Sequence, residues 1–193
     1  AFGDALAWVD GLLAISDGRS VHLFAGVDGD WTLRNTLVAG GVFDHYGAQL
    51  VYDEASDTLY VSAPDADRGL GRVYVHRRAS QPTPDLPDVI LPKTPGTPEN
   101  PSYFGAQLAL ADGVLAVTAP GGSRMTAEVV LYALGGERPA VCFSTQAPGS
   151  DGFGHAVTLR NGQLAVGASR QESGGMTDGA VHLFVRGPYN LHP

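Results

Sequence analysis

The sequence predicts an all-β chain built from four copies of one antiparallel meander, and three observations predict it. First, an aromatic-glycine pair recurs at Phe2-Gly3, Tyr46-Gly47, Phe104-Gly105 and Phe153-Gly154, with glycine spacings of 44, 58 and 49 residues. Second, Asp-Gly or Asn-Gly follows at one fixed offset in three copies, and this pair suits a two-residue hairpin because both central residues take positive φ. Third, the 193 residues include 26 Gly and 13 Pro, and no segment sustains helical periodicity. Repeats of this period mark arrays in which a unit cannot bury both faces alone and so stacks on its neighbours.

Each unit can be followed in order. A first strand leads from the aromatic-glycine step to a turn: Asp10-Gly11, Asp112-Gly113 and Asn161-Gly162, with a longer loop ending at Asp57 in unit two. The second strands are Leu12 to Ile15, Leu59 to Val61, Val114 to Val117 and Leu164 to Val166. The last three lead into Ser62-Ala63-Pro64, Thr118-Ala119-Pro120 and Gly167-Ala168-Ser169. A polar loop of variable length follows, then a third strand: Val21 to Phe24, Val73 to His76, Val129 to Tyr132 and Val181 to Phe184. Fourth strands are expected at Trp31 to Val38, Val89 to Leu91 and Arg138 to Phe143, whereas unit four is expected to stop at three strands. The units span 2–44, 45–102, 103–151 and 152–187, within one repeat region covering 1–193.

Unit four reads Phe153-Gly154-His155-Ala156-Val157, then Leu164-Ala165-Val166-Gly167-Ala168, then Gly179-Ala180-Val181-His182-Leu183-Phe184. This resembles the FG-GAP repeat of integrin α-type N-terminal β-propellers, and unit three is nearly as similar. The resemblance implies a β-propeller of four-stranded blades. Four blades with the last incomplete imply part of a larger propeller; a small four-bladed ring, or two chains pairing into a larger one, are the alternatives. It also implies an extracellular or cell-surface location and a non-catalytic recognition or adhesion role, with a protein or glycan ligand and further blades of the same or another chain as partners. A lectin-type propeller and a structural segment of a large secreted or surface assembly are the alternative roles.

Many blades of that family carry a calcium loop in the first hairpin. Three units here have a two-residue turn with no room for one. In unit two, Asp53 and Asp57, with Glu54 and Ser56, offer oxygen ligands, but the glycine that bends such loops is missing. No cofactor is therefore expected, with calcium at Asp53 and Asp57 as the alternative.

A net charge of −8 argues against nucleic acid and anionic membrane surfaces as partners. No apolar run reaches the length of a membrane-spanning helix. Cys142, the one cysteine, excludes an internal disulfide and reads as a small buried hydrophobe. The six histidines show no metal-ligand spacing, and there is no nucleophile elbow or phosphate loop ahead of a helix. The chain thus carries no enzyme signature.

In a β-propeller, which the resemblance implies, the loops between second and third strands share one face with the connectors between blades; the resemblance places ligand contacts on that face, and function tends to sit on loops held by a rigid scaffold. The binding candidates are therefore Asp44 and His45; Asp65, Asp67 and Arg68; Arg124; Asp151; and Arg170 and Glu172. Each is also readable as a solvated loop charge. Phe2, Tyr46, Phe104 and Phe153 are expected to fill the space between units, with the following glycine allowing close backbone approach. Trp8 is expected in the core and Trp31 against the next unit, with stacking on a sugar or peptide as the alternative for either.

Overall fold

The computed structural model describes residues 2–38, 44–82, 87–91, 97, 99–121, 126–134, 140–148, 151–170, 172–173, 176–186 and 191–192. Unit one is a sheet of β1 (Leu6–Val9), β2 (Leu12–Ser16), β3 (Ser20–Val27) and β4 (Asp30–Val38) in that spatial order. Unit two contains β5 (Leu50–Asp53), β6 (Thr58–Ala63), a helical turn α1 (Ala66–Gly69), β7 (Arg72–Arg77) and β8 (Asp88–Ile90). Unit three has β9 (Leu108–Ala111), β10 (Val114–Ala119), β11 (Thr126–Ala133) and β12 (Ala140–Pro148). Unit four has β13 (Phe153–Arg160) and β14 (Gln163–Ala168), then a small hairpin of β15 (Glu172–Ser173) and β16 (Met176–Thr177), then β17 (Ala180–Arg186) and β18 (Leu191–His192). Every pairing within these sheets is antiparallel.

The hairpins follow the turn chemistry. Asp10 and Gly11 have φ of 44° and 79°, Asp112 and Gly113 of 53° and 69°, and Asn161 and Gly162 of 50° and 70°. One expectation about the strands is corrected. Unit four does not stop at three strands, because Leu191–His192 pairs with β17; two residues are too few to carry a periodic signal. The loop after β6 contains a helical turn, although Asp67 and Arg68 within it have φ of 53° and 63°, so it is not regular helix. Cys142 lies on β12, with its side chain outside the described residues.

The same junction joins each unit to the next. A Cβ added to Gly47 would fall 2.5 Å from Ser16 and 3.2 Å from Val21 of unit one. One added to Gly105 would fall 3.2 Å from Ser62 and 3.3 Å from Val73 of unit two. At Gly154 the neighbours are Thr118 at 3.3 Å and Val129 at 3.7 Å in unit three. So each aromatic-glycine step presses on the end of the second strand and the start of the third strand of the unit before it. That small hydroxyl residue also fixes its own unit: the N–H groups of Ala5, Gln49 and Gln107 donate to Ser16 Oγ, Ser62 Oγ and Thr118 Oγ1 at 3.0, 2.9 and 3.1 Å. Unit four has Gly167 at this place, and its first pairing carries a register shift between Phe153 and Ala156.

Strand alternation then gives every sheet two faces. Three apolar clusters result, each between consecutive units. Val9, Val21 and Leu23 pack with Tyr46, Leu50 and Leu59. Tyr60, Val73 and Val75 pack with Phe104, Leu115 and Val117. Ala116, Val129 and Leu131 pack with Phe153, Leu164 and Val166. Tyr46, Phe104 and Phe153 are buried as expected.

Phe2 is the exception among the four aromatics. It is 63% exposed, because no sheet of the described chain lies against its face, and its ring rests on His22 and Phe24 of its own unit. Trp8 is likewise not core: it is 62% exposed on the same face as Leu6. Trp31 does not reach the next unit. It lies over Gly26, where an added Cβ would come within 2.4 Å of the ring, and tilts against Trp8 with centroids 6.1 Å apart.

Between units one and two the core contains a polar pair. Tyr46 Oη and His76 Nε2 are 2.6 Å apart, both residues buried. Burial lowers the His76 pKa to about 4 and pushes that of the phenol far up, so both groups are neutral at pH 7. The folded chain thus binds fewer protons than the unfolded chain between the ordinary histidine value and about 4. This contribution to stability is complete above pH 6.5 and is lost as pH falls toward 4. Denaturant melts from pH 7 to pH 4 should show the wild type losing about 2–3 kcal/mol more than His76→Leu; parallel curves would show that His76 is not held neutral.

Candidate functional site

The connectors and the loops between second and third strands do share an edge, and three described junctions define it. Between units one and two, His45 adopts φ 49° just before the Tyr46-Gly47 step. Its Nδ1 lies 2.5 Å from Asp65 Oδ2 in the loop after β6, and the histidine side chain is 64% exposed. The tight turn between β2 and β3 comes to the same place: a Cβ on Gly18 would lie 3.1 Å from Asp4 Oδ2 and 3.7 Å from His45 Cδ2. Asp17 shapes that turn by accepting from the N–H groups of Arg19 and Ser20 at 2.9 and 2.7 Å. Burial acts to raise the Asp17 carboxyl, but these bonds and the nearby His22 ring outweigh it and hold its pKa below the ordinary value.

Between units two and three, the Tyr103 N–H donates to Gly69 O at 2.8 Å and Ser102 Oγ donates to Leu70 O at 2.7 Å. These bonds tie α1 to the next connector. Asp67 and Arg68 therefore stand exposed on a turn fixed from both sides. Asp67 accepts from the Arg72 guanidinium, which it holds further in its charged form against the opposing effect of burial. At the start of unit four, the Arg170 N–H donates to Asp151 O at 2.8 Å, which joins the connector to the loop after β14.

Of the sequence candidates, His45 and Asp65 are thus in direct contact, with half-buried Asp44 preceding them. Asp67 and Arg68 are neighbours on α1, and Asp151 and Arg170 form a separate backbone-linked pair. Glu172 belongs to β15, where only the backbone is described. Arg124 lies outside the described residues.

Asp53 and Asp57 lie on the opposite edge, at the β5–β6 hairpin. Asp57 accepts from the Ser80 N–H and hydroxyl at 3.0 and 2.8 Å and from the Tyr52 hydroxyl at 2.9 Å. Asp53 accepts from the Ala55 N–H at 3.3 Å and the Ser56 hydroxyl at 2.6 Å. Both carboxylates are engaged in holding the hairpin. Burial acts to raise the Asp57 pKa, but its donors together keep it low. Among the described residues, no group of three or more His, Cys, Asp or Glu converges as a metal site.

Two residues at the connector edge escaped sequence reasoning. Arg72 and Glu128 occupy the same position in their units, each just before the valine that opens the third-strand core. Glu128 is 2% exposed. A charged residue ahead of an apolar strand reads as a loop end, and no spacing distinguishes it. No protein-family model matches the chain, and no curated protein matches it. Among the described residues, no helix is long and apolar enough to cross a membrane.

Proposed function

We propose that the chain is a non-catalytic recognition module of β-propeller type, related to the FG-GAP blades it resembles, acting outside the cell or at its surface. Its ligand, a protein or glycan, contacts the connector edge. One observation carries this reading: a junction repeated three times brings to a single edge loops of unequal length, such as residues 17–19 after β2 and residues 64–71 after β6. A constant scaffold bearing unequal loops suits one extended ligand touching several of them, rather than the equivalent pockets of a repeat lectin. The His45–Asp65 pair and the Asp67–Arg72 pair supply fixed donors and acceptors at its centre.

The test is to probe the immobilised chain with a glycan array and a panel of purified extracellular proteins. Binding should fall at least about 10-fold in a His45→Ala, Asp67→Ala, Arg68→Ala variant, the loss of roughly 1.4 kcal/mol that a few polar contacts supply. It should be unaffected by Asp53→Asn on the opposite edge. Ligands that bind the triple variant with full affinity would overturn the reading.

A further inference from the structure

The three junctions share one plan but not one chemistry. The third strands align Phe24, His76, Tyr132 and Phe184 at a single position. Tyr132 and Phe184 belong to the apolar clusters of the second and third junctions, whereas His76 puts an imidazole between units one and two. It is the one buried histidine among the described residues, 2% exposed, and His182 at the third junction is only half-buried. The aromatic step differs at the same place. Phe104 and Phe153 carry no hydroxyl, while the Tyr46 hydroxyl is the group that meets His76 Nε2.

The surroundings of the pair cannot hold a charge. Unit one presents Val9, Val21, Leu23 and Leu37 to it. The Tyr46 ring meets those of Tyr74 and His76 edge-on, with centroids 5.3 and 6.1 Å apart. The titratable groups on the packed elements are Tyr46, Tyr74 and Tyr52, and Tyr52 is turned to Asp57 as a donor. Of the cations on β7, Arg72 is paired with Asp67 and Arg77 with Asp88. His76 Nδ1 has no hydrogen-bond partner among the described residues. A second proton on the ring therefore meets neither an acceptor nor a counter-charge, and water supplies them only once the junction parts. Burial alone lowers the His76 pKa to about 4, in keeping with this apolar setting.

We propose that acid opens this one junction: a proton on His76 parts unit one from unit two, while the other two junctions stay closed. The three apolar clusters are separate, and contacts in a stack run between neighbours, so one can loosen alone. The sign follows from the ring. The open state takes up a proton that the closed state refuses, so opening gains as pH falls below 6.5 and levels off near 4. The connector edge follows the junction, because an added Cβ on Gly18 of unit one lies 3.7 Å from His45 Cδ2, just ahead of Tyr46. Parting the units carries the β2–β3 turn away from the His45–Asp65 pair. The switch rests on the junction and not on the recognition role, and its test needs no ligand.

The experiment is hydrogen exchange read by mass spectrometry on the whole chain at pH 7 and pH 5, corrected for the intrinsic rate at each pH. Carboxylates of ordinary pKa stay charged over this range, which isolates the histidine. A single meander is not stable by itself, so parting should show as faster exchange in β2 and β3. With values of 6.5 open and about 4 closed, protection there should fall about 20-fold in the wild type. Protection in β10 and β11 of unit three should hold. His76→Leu and His76→Gln both remove the titrating group, and the glutamine keeps a hydrogen-bonding partner for Tyr46 should the leucine variant fail to fold. In either folded variant, β2 and β3 should be equally protected at the two pH values. A wild type with no fall in unit one, or with an equal fall in unit three, overturns the proposal. So does a 20-fold fall that persists in a folded variant.

Discussion

Replacing Phe153 with alanine should lower stability by about 3–5 kcal/mol, the range for truncating a buried phenylalanine. The ring is 1% exposed and meets the His182 ring edge-on with centroids 5.3 Å apart. It belongs to the apolar cluster between units three and four and has unit-three residues on its far side. Truncation therefore leaves a cavity at a junction, not within one sheet, and the loss falls first on the docking of unit four. In a stack held by nearest-neighbour contacts, hydrogen exchange should accelerate in β13, β14 and β17 before it does in units one and two. Phe2→Ala is the matched control: its ring is 63% exposed, so the same chemical change should cost under about 1 kcal/mol. Urea melts of the two variants check the difference. Equal losses would mean that the aromatic step acts within its own unit and does not join one unit to the next.

That contrast shows what the sequence could and could not carry. Aromatic-glycine spacing and Asp-Gly turns placed the strands because both are local: they depend on backbone φ and on which face a side chain takes. The same pattern put Phe2 and Trp8 on a core face, and the face is correct; whether another sheet covers it is a property of the assembly, which no residue in the repeat encodes. Phe104, identical in its local pattern, is 0% exposed for that reason alone. The helical turn α1 was invisible because its conformation is imposed by bonds to Ser102 and Tyr103, more than thirty residues along the chain. The edge carrying the candidate site was legible from topology. The pairing of His45 with Asp65 was not, since two solvated polar side chains 20 residues apart leave no mark of their contact. Unequal loop lengths obscure such contacts further, because they break the register that made the strands readable.

Gly71, which holds in unit two the place of Gly179 in unit four, should be as sensitive as the buried aromatics. It precedes β7 with φ 81° and forms a bridge to Phe104, where unit two meets unit three. A Cβ there would sit 2.1 Å from Phe104 O and 2.5 Å from Phe104 N. These are backbone atoms, so no rotamer change relieves the clash, and the main chain of the next unit's aromatic anchor must move. Gly71→Ala then adds the left-handed penalty of about 1–2 kcal/mol to a packing cost of about 1–3 kcal/mol, for a total of roughly 2–5 kcal/mol. Gly11→Ala separates the two contributions: Gly11 has nearly the same φ, 79°, with nothing within 4 Å of an added Cβ. Its substitution should cost only the conformational part. The excess loss in Gly71→Ala over Gly11→Ala, read from denaturant midpoints, measures how tightly the backbones of consecutive units are pressed together; an excess near zero would mean that the two units part without cost at that point.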